Sequence, residues 1–377
     1  MHDFDHLDRI EILEYLDSLT VSGACVAFHG DADGCIAAAL LETILKENIA
    51  DFYCVSSEEL NLETLIDWFE NQKVSNLITL DINVGSSKGA LQKLCGIVKG
   101  TVLVIDDHLG DVGRPPDNCR IIQLLPDRDA QETRNQIRPA VYFCDFLSQA
   151  PSKERSGMQA FLALAGLFGE GVTHLFDIAS FHANQRVKNL AREFGRGITA
   201  FCLLNSTSIA AESFVRSIVQ LVKEEEGGES IQAASERVRQ SKLFEVLRNS
   251  SKEISCVVQD QVGKSKHDCL WIAAKDYNVY KIYLDTKYNV VNLVASEARN
   301  QIGEGVVVSI QIKEDNTAIE LRRARNINSP NLVELLQHLK SEYFVARGGH
   351  PMAAGATIKK EYTENVLEDL RLEILKT

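Results

Sequence analysis

Hydrophobic residues in the first third of the chain form short continuous runs separated by segments of helical character. Residues 24–28, 76–80 and 101–105 are mostly apolar and of strand length, a pattern typical of strands buried on both faces of a parallel sheet. Residues 35–45 are apolar and helix-forming, so a helix is expected after the first run. This alternation predicts an α/β fold whose N-terminal lobe is a doubly wound, mainly parallel sheet.

The remainder of the chain changes character twice. The pattern of residues from about 133 to 205 predicts helices separated by glycine-rich breaks. The segment from 206 to about 247 predicts further helices. Beyond residue 253, short apolar or alternating runs predict the strands of a second, smaller α/β lobe, followed by a helix from about residue 331. These runs are residues 254–258, 270–274, 280–284, 290–294 and 306–312. The expected division is an N-terminal domain over 1–205, a helical connector over 206–252 and a C-terminal domain over 253–377.

Composition is that of a globular protein and limits the partners it can have. The 377 residues are 45% hydrophobic and 25% charged, and their formal net charge is −13. This charge argues against broad wrapping of long nucleic acid, so any contact with phosphate must be local. The nine cysteines show no C-x-x-C spacing, which favours reduced thiols. With an acidic N-terminus and no apolar stretch of membrane length, we expect a cytoplasmic protein with no membrane partner.

Acidic residues directly follow each of the three predicted strands of the first lobe. They are Asp31 and Asp33, then Asp81, then Asp106 and Asp107, accompanied by His108 and by His29 at the end of the first run. Parallel strands bring their carboxyl ends to one edge of a sheet, where so many carboxylates repel one another unless cations compensate. Oxygen ligands with one or two nitrogens suit Mn²⁺ or Mg²⁺ better than Zn²⁺. A paired-metal site with a bridging carboxylate is therefore expected.

Each of these side chains also has a simpler interpretation. An aspartate after a strand often caps a helix or closes a turn, and His29 can equally be a hydrogen-bonded structural histidine. Three acidic strand ends in succession, with Asp-Asp-His among them, make coincidence a poor explanation of the whole set.

These residues resemble the motifs of the DHH phosphoesterases, a family that includes RecJ-type exonucleases, oligoribonucleases and some cyclic-dinucleotide phosphodiesterases. Asp31-Ala-Asp33-Gly is similar to the first motif, Asp81 to the second, and Asp106-Asp107-His108 to the third. Residues 347–355, Arg-Gly-Gly-His-Pro-Met-Ala-Ala-Gly, resemble the glycine-rich signature of the associated C-terminal domain. The resemblance covers most of the chain and implies a metal-binding catalytic domain followed by a substrate-binding domain.

Two positions depart from the family's motifs. Asp107 replaces the first histidine of the third motif, and Glu170 stands where the fourth-motif aspartate is expected, with Asp177 as the other candidate. Both replacements can bind a cation, but Asp107 adds a negative charge and Glu170 is one methylene longer. The alternative to an active enzyme is therefore a catalytically degenerate member of the family that binds nucleic acid or acts as a scaffold.

The resemblance implies roles for residues of both lobes. It implies two Mn²⁺ ions, with Mg²⁺ as the other option, and it makes Asp81 and His108 the catalytic residues, as metal bridge and as the contact to the scissile phosphate. The implied metal ligands are Asp31, Asp33, Asp81, Asp106, Asp107 and Glu170, and His29 is added to them because of its position at the end of the first strand. The expected substrate-binding residues are Arg347, Gly348, Gly349, His350, Arg299 and Arg323. Glycines let a phosphate approach backbone N–H groups, and guanidinium groups bind phosphate oxygens in pairs.

The expected reaction is release of mononucleotides from short oligonucleotides or single-stranded nucleic acid ends, with a linear dinucleotide as a further candidate substrate. Bacterial RecJ enzymes usually add an OB-fold, for which no room is expected after Thr377. Together with the acidic charge, this favours short substrates or strand ends. An inorganic pyrophosphatase or exopolyphosphatase of the same superfamily is disfavoured by its different C-terminal domain and first-motif spacing. The oligomeric state stays open, with a homodimer among the options.

Overall fold

The computed structural model forms two compact units, Met1–Ser251 and Lys252–Thr377. The residues it describes are 9–45, 49–55, 63–82, 89–106, 115–123, 140–148, 156–170, 181–205, 208–224, 229–265, 269–324, 326–327 and 330–376. Each unit contains its own sheet and its own hydrophobic core. The predicted α/β fold with two lobes is confirmed.

A five-stranded sheet forms the centre of the first unit. Its strands are β1 (Ala24–His29), β2 (Ile49–Val55), β3 (Asn76–Leu80), β4 (Val102–Asp106) and β5 (Cys119–Gln123). The helices are α1 (Arg9–Val21), α2 (Ala32–Ile44), α3 (Glu63–Glu70), α4 (Ala90–Ile97), α5 (Ala140–Ser148), α6 (Gly157–Glu170), α7 (Gln185–Leu204), α8 (Ser208–Lys223) and α9 (Ile231–Gln240). The strand order is β2-β1-β3-β4-β5, and every neighbouring pair is parallel, as the buried apolar runs predict.

The sheet is buried on both faces because its strands alternate side chains between two cores. In β1, Ala24, Val26 and Phe28 face the larger core, which is shared with α2, α5 and α6. Cys25 and Ala27 face the smaller core, which is shared with α3 and α4. With both faces covered by apolar side chains, polar chemistry in this unit is concentrated at the strand ends.

Helices α8 and α9 lie in the segment predicted as a connector, and in the structure they belong to the first unit. Val215 and Ile218 of α8 are buried in the larger core, as are Ile231 and Val238 of α9. The spacing of these apolar residues gives each helix one buried stripe. The first unit therefore continues through most of residues 206–252.

A six-stranded sheet forms the second unit. Its strands are β6 (Leu270–Ala273), β7 (Asn278–Tyr283), β8 (Val306–Ile312), β9 (Asn316–Arg323), β10 (Phe344–His350) and β11 (Ala353–Lys359). The helices are α11 (Val291–Ile302), α12 (Leu332–His338) and α13 (Thr363–Lys376), and α10 (Lys242–Ser265) contains the division between the two units. The order is β10-β11-β9-β8-β7-β6, in which β7 and β8 are parallel and the other pairs antiparallel. Helices α12 and α13 contribute to the core of this unit.

Two of the five runs predicted as strands in the C-terminal part are helical. Residues 254–258 lie inside α10, where Ile254, Val258 and Val262 are buried at helical spacing. Residues 290–294 enter α11, which buries Val291 and Val294 in the same way. A short apolar run fits either structure, so packing against the rest of the unit decided between them.

Two glycines allow the helices beside the start of α2 to pack backbone against backbone. A Cβ placed on Gly195 of α7 would lie 2.2 Å from the Ala165 carbonyl oxygen of α6. A Cβ placed on Gly169 of α6 would lie 2.2 Å from the Cβ of Ala32. No side chain fits at either glycine, and the two contacts bring α6 and α7 close to Ala32.

The nine cysteines are free thiols, and six of them are buried. Cys35 of α2 and Cys202 of α7 have their sulfur atoms 3.6 Å apart. Burial and this neighbour raise the pKa of the Cys35 thiol well above its usual range, which makes the thiol unreactive. Within the segments described above, no helix combines the length and hydrophobicity needed to cross a bilayer.

We expect Gly195→Ala to lower the free energy of unfolding by about 2 kcal/mol or more, because the added methyl group overlaps the Ala165 carbonyl. Gly96→Ala in α4 is the matched control, since no heavy atom lies within 4 Å of its added Cβ. The control should gain up to about 1 kcal/mol from helix propensity. Urea denaturation of the full chain measures both values, and equal stability of the two variants would contradict the close packing of α6 and α7.

Candidate metal centre

The strand order places the carboxyl ends of β1 and β3 where the sheet reverses its winding. From β1 the chain passes to β2 on one side, and β3 returns on the other side of β1. In open α/β sheets such a switch point leaves a crevice outside the strand ends, where ligands bind. His29 is the last residue of β1, Asp31 is the N-cap of α2, and Asp81 directly follows β3. All three residues therefore lie at this crevice.

One imidazole and two carboxylates converge there. His29 Nδ1 lies 2.8 Å from Asp31 Oδ2 and 3.5 Å from Asp81 Oδ2. One ligand atom from each residue lies within 4.8 Å of the other two, close enough to share one cation. Asp81 is buried, whereas His29 and Asp31 are partly exposed, so the group is accessible from solvent. We call these three residues the metal cluster.

Asp81 reaches its position through an unusual backbone conformation. Its φ is 58°. This left-handed value costs most residues roughly 1 kcal/mol, and aspartate tolerates it better than most. The Asp81 N–H donates to the Ile105 carbonyl of β4 at 2.9 Å, which holds the strained residue in place. Backbone strain at a residue beside a crevice is common at functional sites.

Asp31 is ionised at neutral pH. Burial by itself raises the pKa of this carboxyl, but attraction to His29 and hydrogen bonds with His29, Gly34 and Asp81 outweigh burial and lower the pKa to about 2. The Gly34 N–H donates to Asp31 Oδ1 at 3.0 Å, as a helix N-cap requires. A Cβ on Gly34 would lie 2.3 Å from the His29 carbonyl oxygen, so only glycine permits this tight entry into α2.

Asp33, a predicted metal ligand, caps a helix. Its Oδ2 accepts the Ala140 N–H at 2.8 Å, and its Oδ1 accepts the Val141 N–H at 2.6 Å. These N–H groups open α5 and have no partner within that helix. Asp33 therefore acts as a helix cap in this structure, which is one of the two roles that the sequence allows. Its role as a metal ligand stays a prediction.

The other predicted ligands are placed less closely or lie outside the described residues. Asp106 ends β4 and is buried, one strand away from the end of β3, and it is not a member of the metal cluster. Asp107 and His108 lie outside the described residues, as does Asp177. Glu170 is the last residue of α6. The roles of these residues stay predictions.

The metal cluster has the donor atoms that suit a hard divalent cation. One imidazole nitrogen with carboxylate oxygens is a set that Mn²⁺ binds well and Mg²⁺ accepts, whereas structural zinc sites favour thiolate and imidazole. Asp31 carries its charge without a cation, and Asp81 is buried beside it. A bound cation would offset the negative charge of these carboxyl groups.

In the second unit, the glycine-rich segment forms an edge hairpin. Gly348 of β10 pairs with Gly355 of β11, and His350 pairs with Ala353. A Cβ on Gly348 would have no heavy atom within 4 Å, so a ligand has room to lie against the backbone there. Gly349 also lies in β10, between these paired residues.

Arg347, a predicted substrate-binding residue, closes the end of a helix. It donates to the Leu336 and Leu339 carbonyls at 2.6 and 3.1 Å, at the C-terminal end of α12. Its guanidinium also lies over the Phe344 ring, 4.6 Å from the ring centroid. Partial burial lowers the pKa of Arg347 from its usual value. This guanidinium therefore has partners within the protein.

The two other predicted arginines also have partners within the protein. Arg323 is buried, and it donates to the Pro330 carbonyl at 2.8 Å. Arg299 donates to the side chain of its neighbour Asn300 at 2.8 Å. Phosphate binding by Arg323 requires this buried contact to break, so its substrate role stays a prediction that the geometry does not favour.

An ion pair that the sequence analysis missed lies on β9. Glu320 and Arg322 have neighbouring side chains on one face of the strand and form a mostly buried ion pair. Arg322 Nε also donates to Ser296 Oγ of α11 at 3.1 Å. Burial raises the pKa of Glu320 to about 7, and attraction to Arg322 offsets only part of that rise. Side chains two residues apart in a strand lie on the same face, so the opposite charges of Glu320 and Arg322 could have predicted this pair from the sequence.

One sequence comparison matches the C-terminal part of the chain. Residues 275–376 match the DHHA1 domain family, and they lie within the second unit. No curated protein matches the chain in sequence. The family match therefore covers the lobe that carries the glycine-rich hairpin.

Many solved structures are similar to nearly the whole chain, among them those of RecJ. The RecJ of Thermus thermophilus in complex with Mn²⁺ has a TM-score of 0.59 and 15% identity, over 98% of this chain and 55% of that one. The same protein is also known in complex with Mg²⁺. An exonuclease RecJ bound to manganese has a TM-score of 0.58 and 16% identity, over 98% and 94% of the two chains. An exopolyphosphatase-related protein from Bacteroides fragilis has a TM-score of 0.55 and 14% identity, over 98% and 96%.

These comparisons show a shared fold. The present chain spans 55% of the length of the Thermus RecJ, so that protein contains a large part with no counterpart here. At the identities of 14 to 16% given above, similarity of fold carries no information on substrate. The two-lobe arrangement is common to this chain and to RecJ.

We expect Asp31→Asn and Asp81→Asn to lower the affinity for Mn²⁺ at least tenfold, because each removes a charged ligand of the metal cluster. Asp33→Ala should instead lower the free energy of unfolding by about 1 to 3 kcal/mol, since it leaves two buried N–H groups of α5 without a partner. Electron paramagnetic resonance of free Mn²⁺ measures the affinity, and urea denaturation of the metal-free protein measures the stability. Loss of Mn²⁺ binding in a folded Asp33→Ala variant would establish Asp33 as a ligand.

We expect the stability of the chain relative to Glu320→Gln to fall as the pH rises from about 4.5 to 7, and to stay level above that. The folded pKa is raised, so the folded state binds more protons than the unfolded chain in this window, and the stabilisation is lost as Glu320 ionises. A rise from 4.5 to about 7 corresponds to about 3 kcal/mol. Urea denaturation across this pH range measures the difference. The exposed Glu361→Gln is the control for loss of one charge, and a matching profile for both variants would contradict the assignment.

Proposed function

Since the chain has the two-lobe fold of the DHH phosphoesterases and carries a DHHA1 domain, we propose that it is a metal-dependent phosphodiesterase that releases mononucleotides from short oligonucleotides or single-stranded nucleic acid ends. The RecJ relatives are known with Mn²⁺ or Mg²⁺, and one of them is named an exonuclease. We infer the same class of reaction for this chain and, because of its net charge of −13, a preference for short substrates.

The observation that carries the proposal is the metal cluster at the switch point between β1 and β3. Three ligand atoms of the right chemical type lie within 4.8 Å of one another. They lie where α/β folds bind ligands, and they are reachable from solvent. The buried Asp81 also has a left-handed backbone, a feature that is common at functional sites.

The three residues of the metal cluster have separate tasks in the proposed reaction. Asp31 is ionised across the physiological pH range, so it needs no proton release before it binds a cation. His29 is oriented by the contact between its Nδ1 and Asp31. Asp81 is held against β4 by its N–H, so its carboxylate is aimed into the crevice at a fixed point.

A divalent cation held by these residues would lower the pKa of a bound water and offset charge on the phosphodiester. By the family resemblance, Asp81 is proposed as the ligand shared by two such cations, with Asp106, Asp107 and Glu170 completing the set. His108 is proposed to contact the scissile phosphate and to support the leaving group. These assignments follow the motif positions in the sequence.

We expect Mn²⁺-dependent hydrolysis when the full chain is given labelled RNA and single-stranded DNA from the dinucleotide upward. Asp81→Ala should lower turnover by at least about a thousandfold, because it removes a ligand from the metal cluster. His108→Ala should lower turnover at least about a hundredfold while leaving the Mn²⁺ content nearly unchanged. Product analysis on denaturing gels gives the released nucleotides, and metal analysis gives the Mn²⁺ content.

Asp117→Ala, which removes an exposed aspartate of the same unit, is the matched control and should retain full turnover. Loss of metal in His108→Ala would show that its role is wrongly assigned. Absence of turnover with every substrate, despite binding, would favour the degenerate nucleic-acid-binding alternative. The dependence of turnover on substrate length separates an oligoribonuclease from a RecJ-like exonuclease.

A further inference from the structure

Helix α7 carries a row of three cationic side chains on one face. Lys188, Arg192 and Arg196 follow one another at intervals of four residues, so their side chains lie above one another along the helix. Arg196 is exposed and the other two are partly exposed. We call these three residues the α7 row.

Among the described residues, the α7 row forms no ion pairs, unlike other charges on the same helix. Arg186 pairs with Glu236 of α9 at 3.0 Å, and Glu193 pairs with Arg248 of α10 at 2.9 Å. Within the part of the chain that the structure describes, no carboxylate lies within ion-pair distance of the α7 row. In a chain with a net charge of −13, three neighbouring cations of this kind mark a local positive surface.

The packing of α6 and α7 brings the Arg196 end of the α7 row toward the start of α2, the helix that Asp31 caps. Arg196 directly follows Gly195, which contacts the backbone of α6 near Gly169. Gly169 in turn packs on Ala32, the residue between Asp31 and Asp33. The end of the row therefore lies close to the start of α2, and the rest of the row extends from there toward the N-terminus of α7.

The central member of the row is held in place by an aromatic ring. The Arg192 guanidinium lies over Phe168 of α6, 4.6 Å from the ring centroid. This contact restricts the side chain, so Arg192 loses less conformational entropy when it binds an anion. A guanidinium held in this way suits bidentate contact with a phosphate.

We propose that the α7 row binds the backbone of single-stranded nucleic acid whose end lies at the metal cluster. The row spans about 12 Å, with about 6 Å between neighbouring Cα positions, so it can meet successive phosphates of one strand. Three phosphate contacts can hold a short stretch of one strand, but they are too few to bind a long nucleic acid along its length. A small positive surface of this size is compatible with the acidic net charge of the chain. This proposal rests on the proposed function, since it assigns the path of that enzyme's substrate.

The test is the salt dependence of binding to a labelled twelve-nucleotide oligothymidylate, measured by fluorescence anisotropy in metal-free buffer with the full chain. The variant is Lys188→Gln with Arg196→Gln, which keeps the packed Arg192 in place. The slope of log affinity against log salt concentration is negative, and each lost phosphate contact makes it shallower by about 0.7. The slope of the double variant should therefore be shallower by about 1.4. The affinity at low salt should fall by about fivefold or more. Oligouridylate, tested in parallel, shows whether the row distinguishes RNA from DNA.

Arg186→Gln with Arg248→Gln is the matched control, because it removes two arginines that are already paired on or beside the same helix. Its slope should equal that of the unchanged chain. An equal slope for the α7 variant, or failure of the unchanged chain to bind either strand at low salt, overturns the proposal. If the chain and its variants bind with the expected slopes but the chain hydrolyses no substrate, binding by the α7 row is supported and the proposed function is wrong. If the chain hydrolyses the twelve-nucleotide strand and the α7 variant keeps its KM and slope, the function stands and the α7 row is wrong.

Discussion

The candidate metal centre depends on the reversal of the chain at the centre of the first sheet. Strands β1 and β3 lie side by side there, and the chain leaves them toward opposite edges of the sheet. The connections that follow the two strands separate, and a crevice remains into which side chains from both can point. His29 and Asp31 come from one side of it, and Asp81 comes from the other. Close packing supports this arrangement, because Gly34 and Gly169 let the start of α2 sit against neighbouring backbone and side chain without a gap.

Charge is the second constraint. Asp31 and Asp81 lie together in a protein that is already strongly acidic, so an approaching phosphate is repelled unless cations intervene. In the proposed reaction a divalent ion would supply positive charge at the reacting phosphate, and the α7 row is proposed to supply it along the strand. Arg186 and Glu193 of α7 are used in pairs that hold α9 and α10, so the charges on one helix serve different purposes.

The second lobe uses its arginines mainly for its own structure. Arg347 closes α12, Arg323 holds a backbone carbonyl, and Arg322 pairs with Glu320. Phosphate competes poorly with partners that are already buried and well placed. If this lobe binds substrate, as the family resemblance implies, the open backbone at Gly348 is a better candidate for the contact than these guanidinium groups.

Local sequence pattern was enough to predict the two-lobe α/β fold and the strand ends that carry the acidic residues of the first lobe. Continuous apolar runs are stable only when buried on both faces, and parallel strands must end at one edge, so local pattern was sufficient. Tertiary structure decided which acids meet. Asp31 and Asp33 are two residues apart in one motif, yet Asp31 faces His29 while Asp33 caps α5, a helix more than a hundred residues away in the chain. Residues 254–258 became helix for the same reason, because a short apolar run is compatible with either structure until long-range packing selects one.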